Sequence, residues 1–316
     1  MESSNSRIYE IKKYIDYFLE TKGFTSDIEV NAVSELACRA AGNARGSGRG
    51  PALILHGIMP RSGSVYVGEL LRRHPDLYAF PHQLWEFPAL QLAADIRKLQ
   101  EAFILGYKPN SDKIAADELL PLIGASFIAY LHEPVPPQQR LLVKMPGVKY
   151  LSNFFSMFPH ENLLILVRDG RDLVHSTLKT WPQLNFVQVC LRWNRSAKMV
   201  LHTVEHLKKT RDDGYWLCKY EDALAEPETF IRNVCQNFNL DEAIYPFEQI
   251  DKIRVIGSSK LEQANQEKVT WQHLQRPTNF RPTEYWKKWS AVKKYIFKII
   301  AGRSLIDLGY CKDLNW

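Results

Sequence analysis

Short apolar runs alternate with amphipathic stretches along most of this chain. Four runs have the length and composition of buried strands: Ala52–His56, Leu141–Lys144, Asn162–Val167 and Tyr215–Tyr220. Between and after them, apolar residues recur at helical spacing. The pattern predicts helices from Ser64, over Leu90–Phe103 and Ala115–Leu131, and from Gly147 to about Phe158. Further helices are expected over Gly170–Trp181, Phe186–Lys209, Glu221–Phe238 with a break near Pro227, and Val292–Ile300. Strands that are apolar throughout and alternate with helices imply an α/β fold: a parallel sheet covered by helices on both faces. Ligands on such sheets sit beyond the carboxyl ends of the strands, here Gly57, Lys144, Val167-Arg168 and Tyr220.

Ahead of this pattern, Ile8, Ile11, Ile15, Phe18 and Leu19 share one face of an amphipathic helix. Residues 40–50 are rich in Gly and Arg and are expected to be a flexible linker. The expected organisation is therefore an N-terminal helical extension over residues 1–50 and one domain over 51–316. The segment Tyr78–Phe87 is aromatic and irregular, kept from being a long helix by Pro81 and Pro88, and with Leu90–Leu131 its apolar lining suits a small organic molecule; Asp251–Trp289 has little periodicity and reads as a long loop over a site.

Composition changes this picture little. The 316 residues are 45% hydrophobic and 24% charged, ordinary globular values. No apolar run is long enough to cross a membrane, and the polar residues 1–6 do not open a secretory signal. Five scattered cysteines form no C-x-x-C pair, so neither zinc nor a disulfide framework is indicated, and a cytoplasmic setting is expected. The net charge of +6 is spread over isolated residues and pairs, which suits a small anionic ligand better than a nucleic acid duplex.

The candidate chemistry centres on residues 52–75. An apolar strand runs into a turn containing Gly57, Pro60, Arg61, Ser62 and Gly63, and a helix begins at Ser64 and Val65. That order presents the free amides of a helix N-terminus to an anion. Gly63 lets the backbone approach the ligand, Arg61 can fork onto two phosphate oxygens, and the hydroxyls of Ser62 and Ser64 add donors. The loop is not the G-x-x-x-x-G-K-[ST] form of nucleotide hydrolases and kinases. Five residues separate Gly57 from Gly63, and Val65-Tyr66 stand where Lys and a metal-binding hydroxyl are needed. A metal-free phosphate-ester site is expected. A P-loop kinase, or a nucleotide-binding module without turnover, is the competing class.

A second stretch, Leu163–Trp181, places Arg168 at a strand end and Ser176 about two turns along the next helix. The same stretch reads equally as a helix start, with Asp169 as its cap, Asp172 in its first turn and Arg171 paired to either. Together, Pro60-Arg61-Ser62-Gly63-Ser64-Val65 and Val167-Arg168-Asp169-Gly170-Arg171 with Ser176 resemble the two nucleotide motifs of the sulfotransferase family that uses 3′-phosphoadenosine 5′-phosphosulfate (PAPS). The resemblance runs from about Leu53 to Tyr310 and leans towards the branch that includes tyrosylprotein and bacterial sulfotransferases. Val65 departs from the family's loop, where a second Thr stands.

The resemblance implies a P-loop-like sulfotransferase fold and metal-independent, in-line transfer of the sulfuryl group from PAPS to a hydroxyl or amine of a small organic acceptor. Adenosine 3′,5′-bisphosphate (PAP) would be the product; a protein tyrosine or a carbohydrate is the alternative acceptor. It implies Arg61, Ser62, Gly63, Ser64 and Val65 at the 5′-phosphosulfate and Arg168 with Ser176 at the 3′-phosphate. Tyr220 would lie near the adenine, and Ser259, Lys260 and Arg276 would belong to the segment that closes over the nucleotide. Lys144 corresponds to the family's catalytic lysine. The base that takes the acceptor's proton is His82 or Glu86, and both stand open at this point.

Overall fold

A computed structural model of the chain describes residues 33–46, 48–79, 86–114, 117–253 and 282–316. Its centre is a five-stranded parallel sheet. The strands are β1 (Leu53–Gly57), β2 (Leu77–Ala79), β3 (Arg140–Met145), β4 (Asn162–Val167) and β5 (Tyr215–Lys219), in the order β2-β3-β1-β4-β5. Register is set by pairs such as Leu55 with Lys144 and Leu55 with Leu164. Because every strand is parallel, the carboxyl ends share one edge. β1 is central, and the chain leaves it first towards β2 and β3 and later towards β4 and β5. The change of direction opens a crevice at the end of β1.

Successive residues of each strand face opposite sides, and both sides are apolar. Ile54, Val143 and Ile165 point into one core, filled by Phe154, Trp193 and Phe297. Leu53, Leu55, Leu142 and Leu166 point into the other, against Val67, Leu70 and Leu71 of α2 (Ser64–Leu71) and Phe230, Ile231 and Val234 of the helix Pro227–Phe238. The α/β reading with helices on both faces is thus what the chain adopts. By the same parity, Lys144 lies on the α2 side of the sheet, at its carboxyl edge.

The remaining helices include α1 (Glu35–Ala44), α3 (Ala93–Leu105), α4 (Leu119–His132), α5 (Phe154–Met157), α6 (Gly170–Thr180) and α7 (Phe186–Thr210). After β5 come α8 (Tyr220–Ala225), α9 (Pro227–Phe238) and α10 (Ala291–Asp307). No helix among the described residues is long and apolar enough to cross a membrane.

Several elements differ from the sequence expectations. The stretch expected as a linker begins inside α1, which Ser34 caps and whose Ala37 and Ala41 are buried. Beyond the helix, Arg45 makes a bidentate pair with buried Glu161, at 2.6 and 3.3 Å, and also donates to Gly50 O. Glu161 accepts the Ala52 amide as well, so the entry to β1 is held by charge rather than left loose. The edge strand β2 lies at the start of the segment expected to be irregular; three residues are too few to show a period. The expected helix up to Phe158 is a 3-10 turn, Leu151–Asn153, followed by the short α5. The break expected near Pro227 is present and separates α8 from α9. β5 ends at Lys219, and Tyr220 opens α8 instead of closing the strand. The long segment 251–289 contains helical turns at both ends, Phe247–Lys252 and Tyr285–Lys288.

Candidate active site

The loop between β1 and α2 is built on backbone conformations that few residues adopt. Arg61 and Gly63 both have positive φ, 78° and 91°. Gly63 is the N-cap of α2, and a Cβ there would overlap the Tyr220 ring, so only glycine fits on both counts. The Ile58 amide donates to Leu166 O at 2.9 Å, extending the β1–β4 ladder into the loop, and the Ser62 amide donates to Met59 O at 3.1 Å. The helix start leaves the first amides of α2 without intrahelical partners. Ser62 is fully buried against Gly57, and its hydroxyl has no hydrogen-bond partner among the described residues. Ser64 is also buried, and Val65 follows it in the first turn.

The second motif reaches this loop from β4. Arg168 donates from Nη1 to Arg61 O at 2.7 Å, and Arg61 Nε donates to Ser176 Oγ at 3.3 Å. The Arg168 guanidinium also sits 4.8 Å over the Tyr220 ring. Arg61, Gly63, Arg168, Ser176 and Tyr220, drawn from four separate elements, therefore meet at the crevice between β1 and β4. Burial, then the neighbouring Arg168 charge, pushes the Arg61 guanidinium down to about 10. Two cations held this close in a buried place form a site that an anion would stabilise. Arg168 Nε is buried and, among the described residues, unpartnered. With the Ser62 hydroxyl it makes two donors at which phosphate oxygens fit.

Arg171 is a structural residue. It pairs with Asp169 through 2.6 and 3.0 Å contacts and lies between the rings of Trp286 and Trp316, at 3.8 and 4.6 Å. Asp169 caps α6 by accepting the Arg171 amide. Glu221 and Tyr310, which no sequence motif marks, support this turn from behind. The Asp169 amide donates to Glu221 Oε1 at 3.0 Å, and the Tyr310 hydroxyl donates to Glu221 Oε2 at 3.1 Å. Burial pushes the Glu221 carboxyl up to about 7. The one signal for Glu221 in the sequence is its place just after the apolar run that forms β5. Gly170 permits α6 to lie flat on α7, since a Cβ there would overlap the Trp193 ring.

Lys144 occupies the other flank of α2. Its side chain runs past Gly68, one turn beyond Ser64, and is more than half buried. Burial lowers the Lys144 ammonium below the ordinary lysine value, while the Glu86 and Glu69 carboxylates pull it back up. Glu86 is brought there by its neighbour: the Phe87 amide donates to Lys144 O at 2.8 Å. Glu86 itself is exposed. His56, by contrast, is a core residue, bonded to Gly147 O at 2.8 Å and packed edge-on against Phe154. His82, Ser259, Lys260 and Arg276 lie outside the described residues.

Comparison with known proteins bears on this arrangement. The family model described as "Sulfotransferase family" matches residues 54–243, more than half of the chain and inclusive of both motifs. The protein-tyrosine sulfotransferase of Drosophila melanogaster is 25% identical over 244 residues, covering 74% of this chain and 46% of that protein. Protein-tyrosine sulfotransferase 1 of Danio rerio is 24% identical over 260 residues, covering 74% and 65%. The chain spans less than two thirds of the length of either relative. Among solved structures, the sulfotransferase domain of the Synechococcus PCC 7002 olefin synthase covers 82% of this chain and 96% of its own, at 16% identity and a TM-score of 0.49.

Proposed function

The chain belongs to the sulfotransferase family, and from that premise we propose that it transfers a sulfuryl group from PAPS to an acceptor hydroxyl or amine. The observation that carries this reading is the meeting of Arg61 and Arg168 at the start of α2, where Arg168 donates to the Arg61 carbonyl and Arg61 donates to the Ser176 hydroxyl. A nucleotide with a 5′-phosphosulfate and a separate 3′-phosphate needs two anion sites on one crevice. The loop residues Arg61, Ser62, Gly63, Ser64 and Val65 would hold the first group, and Arg168 with Ser176 the second. The buried donors of Ser62 and Arg168 support the fit. Tyr220, packed against Gly63 and Arg168, would set the distance between the two sites. Ser259, Lys260 and Arg276 are proposed, from the family resemblance alone, to complete the nucleotide site.

In the transfer, the acceptor oxygen bonds to sulfur as the bond from sulfur to the 5′-phosphate oxygen breaks, and PAP leaves. The protein's part is positioning and charge. Lys144, half-buried and lying along α2, would stabilise the negative charge that grows on the leaving oxygen. Its depressed affinity for the proton is set mainly by burial, yet the two nearby carboxylates favour the charged form. Glu86 is placed beside Lys144 and is a candidate for the base that takes the acceptor's proton; His82 remains the other candidate. The loop carries no Lys-Ser/Thr pair for a metal-bound triphosphate, so transfer is proposed to need no metal.

For the acceptor, the curated relatives carry the name protein-tyrosine sulfotransferase, which supports a phenolic hydroxyl. That chemistry covers a tyrosine in a protein and a small phenol alike. The small organic acceptor expected from the aromatic segment 78–87 remains the reading to test first against it. The test is incubation with PAPS carrying labelled sulfur and a panel of small phenols, alcohols and amines alongside tyrosine peptides with acidic flanks. Label on any acceptor, abolished by Arg168→Ala, supports sulfuryl transfer. No label on any of them, with PAPS bound and intact, would argue for a nucleotide-binding module.

A further inference from the structure

One short segment, residues 282–286, is held by four side chains spaced along α6 and its entry. Arg168 Nη2 donates to Pro282 O at 2.6 Å. The amides of Glu284 and Tyr285 donate to the two carboxylate oxygens of Asp172 at 2.7 and 2.8 Å. The Tyr285 ring stacks on His175 with centroids 5.4 Å apart and planes 20° from parallel. The Trp286 ring lies against Arg171. Residues 168, 171, 172 and 175 follow helical spacing, so the segment crosses one face of the helix that carries Ser176.

Asp172 is the strictest of these contacts. Its side chain is buried, and two consecutive amides converge on it. That convergence goes with a left-handed backbone at Glu284, φ 67°, which a residue with a side chain adopts only when its surroundings hold it there. Burying a carboxylate against neutral donors costs stability unless the donors are fixed. The Pro282 carbonyl, two residues before this anchor, is one of the two carbonyls that brace Arg168. The other, Arg61 O, belongs to the phosphate loop. The Arg168 guanidinium is thus fixed from both sides, with its Nε edge unpartnered among the described residues.

We propose that Asp172 is a positioning residue for recognition of the nucleotide's 3′-phosphate: by pinning residues 284 and 285 it sets the Pro282 carbonyl against which Arg168 is held. The inference rests on the sulfotransferase reading, because it assumes that Arg168 meets a 3′-phosphate. Asp172 itself is assigned no contact with the nucleotide. Loss of the anchor leaves Arg168 in place but frees its orientation. The affinity for a 3′-phosphate then falls, while the 5′-phosphate site, built on the β1–α2 loop, keeps its geometry.

The test is calorimetric titration of the full chain with PAP and with adenosine 5′-phosphate, for the parent, Asp172→Ala and Asp172→Asn. The ratio of the two affinities is the readout, since a merely structural role would weaken both ligands together. The expected result is a ratio reduced about tenfold in Asp172→Ala, with adenosine 5′-phosphate binding retained. Asp172→Asn, whose amide oxygen can still accept one backbone amide, should fall between. An unchanged ratio in folded Asp172→Ala overturns the proposal, as does an equal loss for both nucleotides. If Asp172→Ala does not fold, an unchanged ratio in Asp172→Asn overturns it. A parent that does not distinguish the two nucleotides sinks the sulfotransferase reading itself, a failure visible before any variant is made.

Discussion

Lys144 and Glu86 illustrate what a single residue's surroundings decide. Lys144 could be singled out from the sequence because it closes an apolar run, and strand ends face the ligand edge of a parallel sheet. Its partner could not be placed that way. The contact runs through the Phe87 amide on Lys144 O, a tertiary bond that no local pattern encodes. The same holds for Glu221 and Tyr310 behind the Asp169 turn. The motifs that carry Arg61, Ser62, Arg168 and Ser176 could be singled out because each is local in the sequence, and the fold brings Arg61, Arg168 and Ser176 together. Lys144→Ala is expected to lower turnover about 10²–10³-fold while PAP affinity stays near the parent's, because a charge that matters most at the leaving oxygen is felt in the transition state. Single-turnover rates set beside calorimetry check this; an equal loss in both would make Lys144 a binding residue. The proton acceptor separates by comparison of Glu86→Gln with His82→Ala. The base should lose about 10²–10⁴-fold in turnover together with the acid limb of the pH–rate profile, and the other variant should keep both.

Elements were legible where their periodicity was long. β1, β3 and β4 are apolar on both faces, and α7 and α10 have unbroken helical spacing; the sheet and its layers followed from those. β2, with three residues, and α5, with four, lie below the length at which a period shows. The start of the expected linker misled for a different reason. Gly42 and Asn43 suggest a break, yet three alanines between 40 and 44 favour helix, and the buried contacts of Ala37 and Ala41 decide the outcome. The β1–α2 loop is where element geometry and the proposed chemistry coincide. Gly63→Ala places a side chain at φ 91° and against the Tyr220 ring. It is expected to cost about 1–3 kcal/mol in stability and to abolish nucleotide binding. Denaturant unfolding and PAP titration of the same preparation check both; a variant that binds as the parent does would show that the loop is not the site. From the same loop, whose helix opens with Ser64-Val65 in place of Lys-Ser/Thr, turnover is expected to survive EDTA. Loss on chelation with recovery on added Mg²⁺ would contradict that.

At the scale of the whole molecule, the site stands on a core that itself contains titratable groups. Burial holds the His56 imidazole down at about 4, well below the ordinary value of 6.5. The unfolded chain takes up this proton below about pH 6.5 and the folded chain does not, so stability falls as the pH drops from 6.5 towards 4 and is indifferent to His56 above that window. The loss from this one group is on the order of 3 kcal/mol. Asp172 and Glu221 act in the opposite sense. Burial raises them from the ordinary 3.8 and 4.5 to about 6 and about 7, so they keep protons that the unfolded chain releases, and their contribution, full below the ordinary values, is lost as the pH rises from there through about 6 and about 7. Denaturant unfolding of His56→Asn across pH 4 to 7 isolates the first effect. The stability deficit of the variant should shrink towards pH 4, and a constant deficit would remove the buried neutral imidazole from the account.

The claim that organises all of this is that one crevice, at the carboxyl ends of β1 and β4, holds two phosphate groups of one nucleotide. Calorimetric titration of the parent chain with PAP against adenosine 5′-phosphate tests it most directly. The account predicts tighter binding of the bisphosphate by about 2–3 kcal/mol, the worth of a charge-assisted contact to Arg168 and Ser176; equal affinity for the two nucleotides would contradict it.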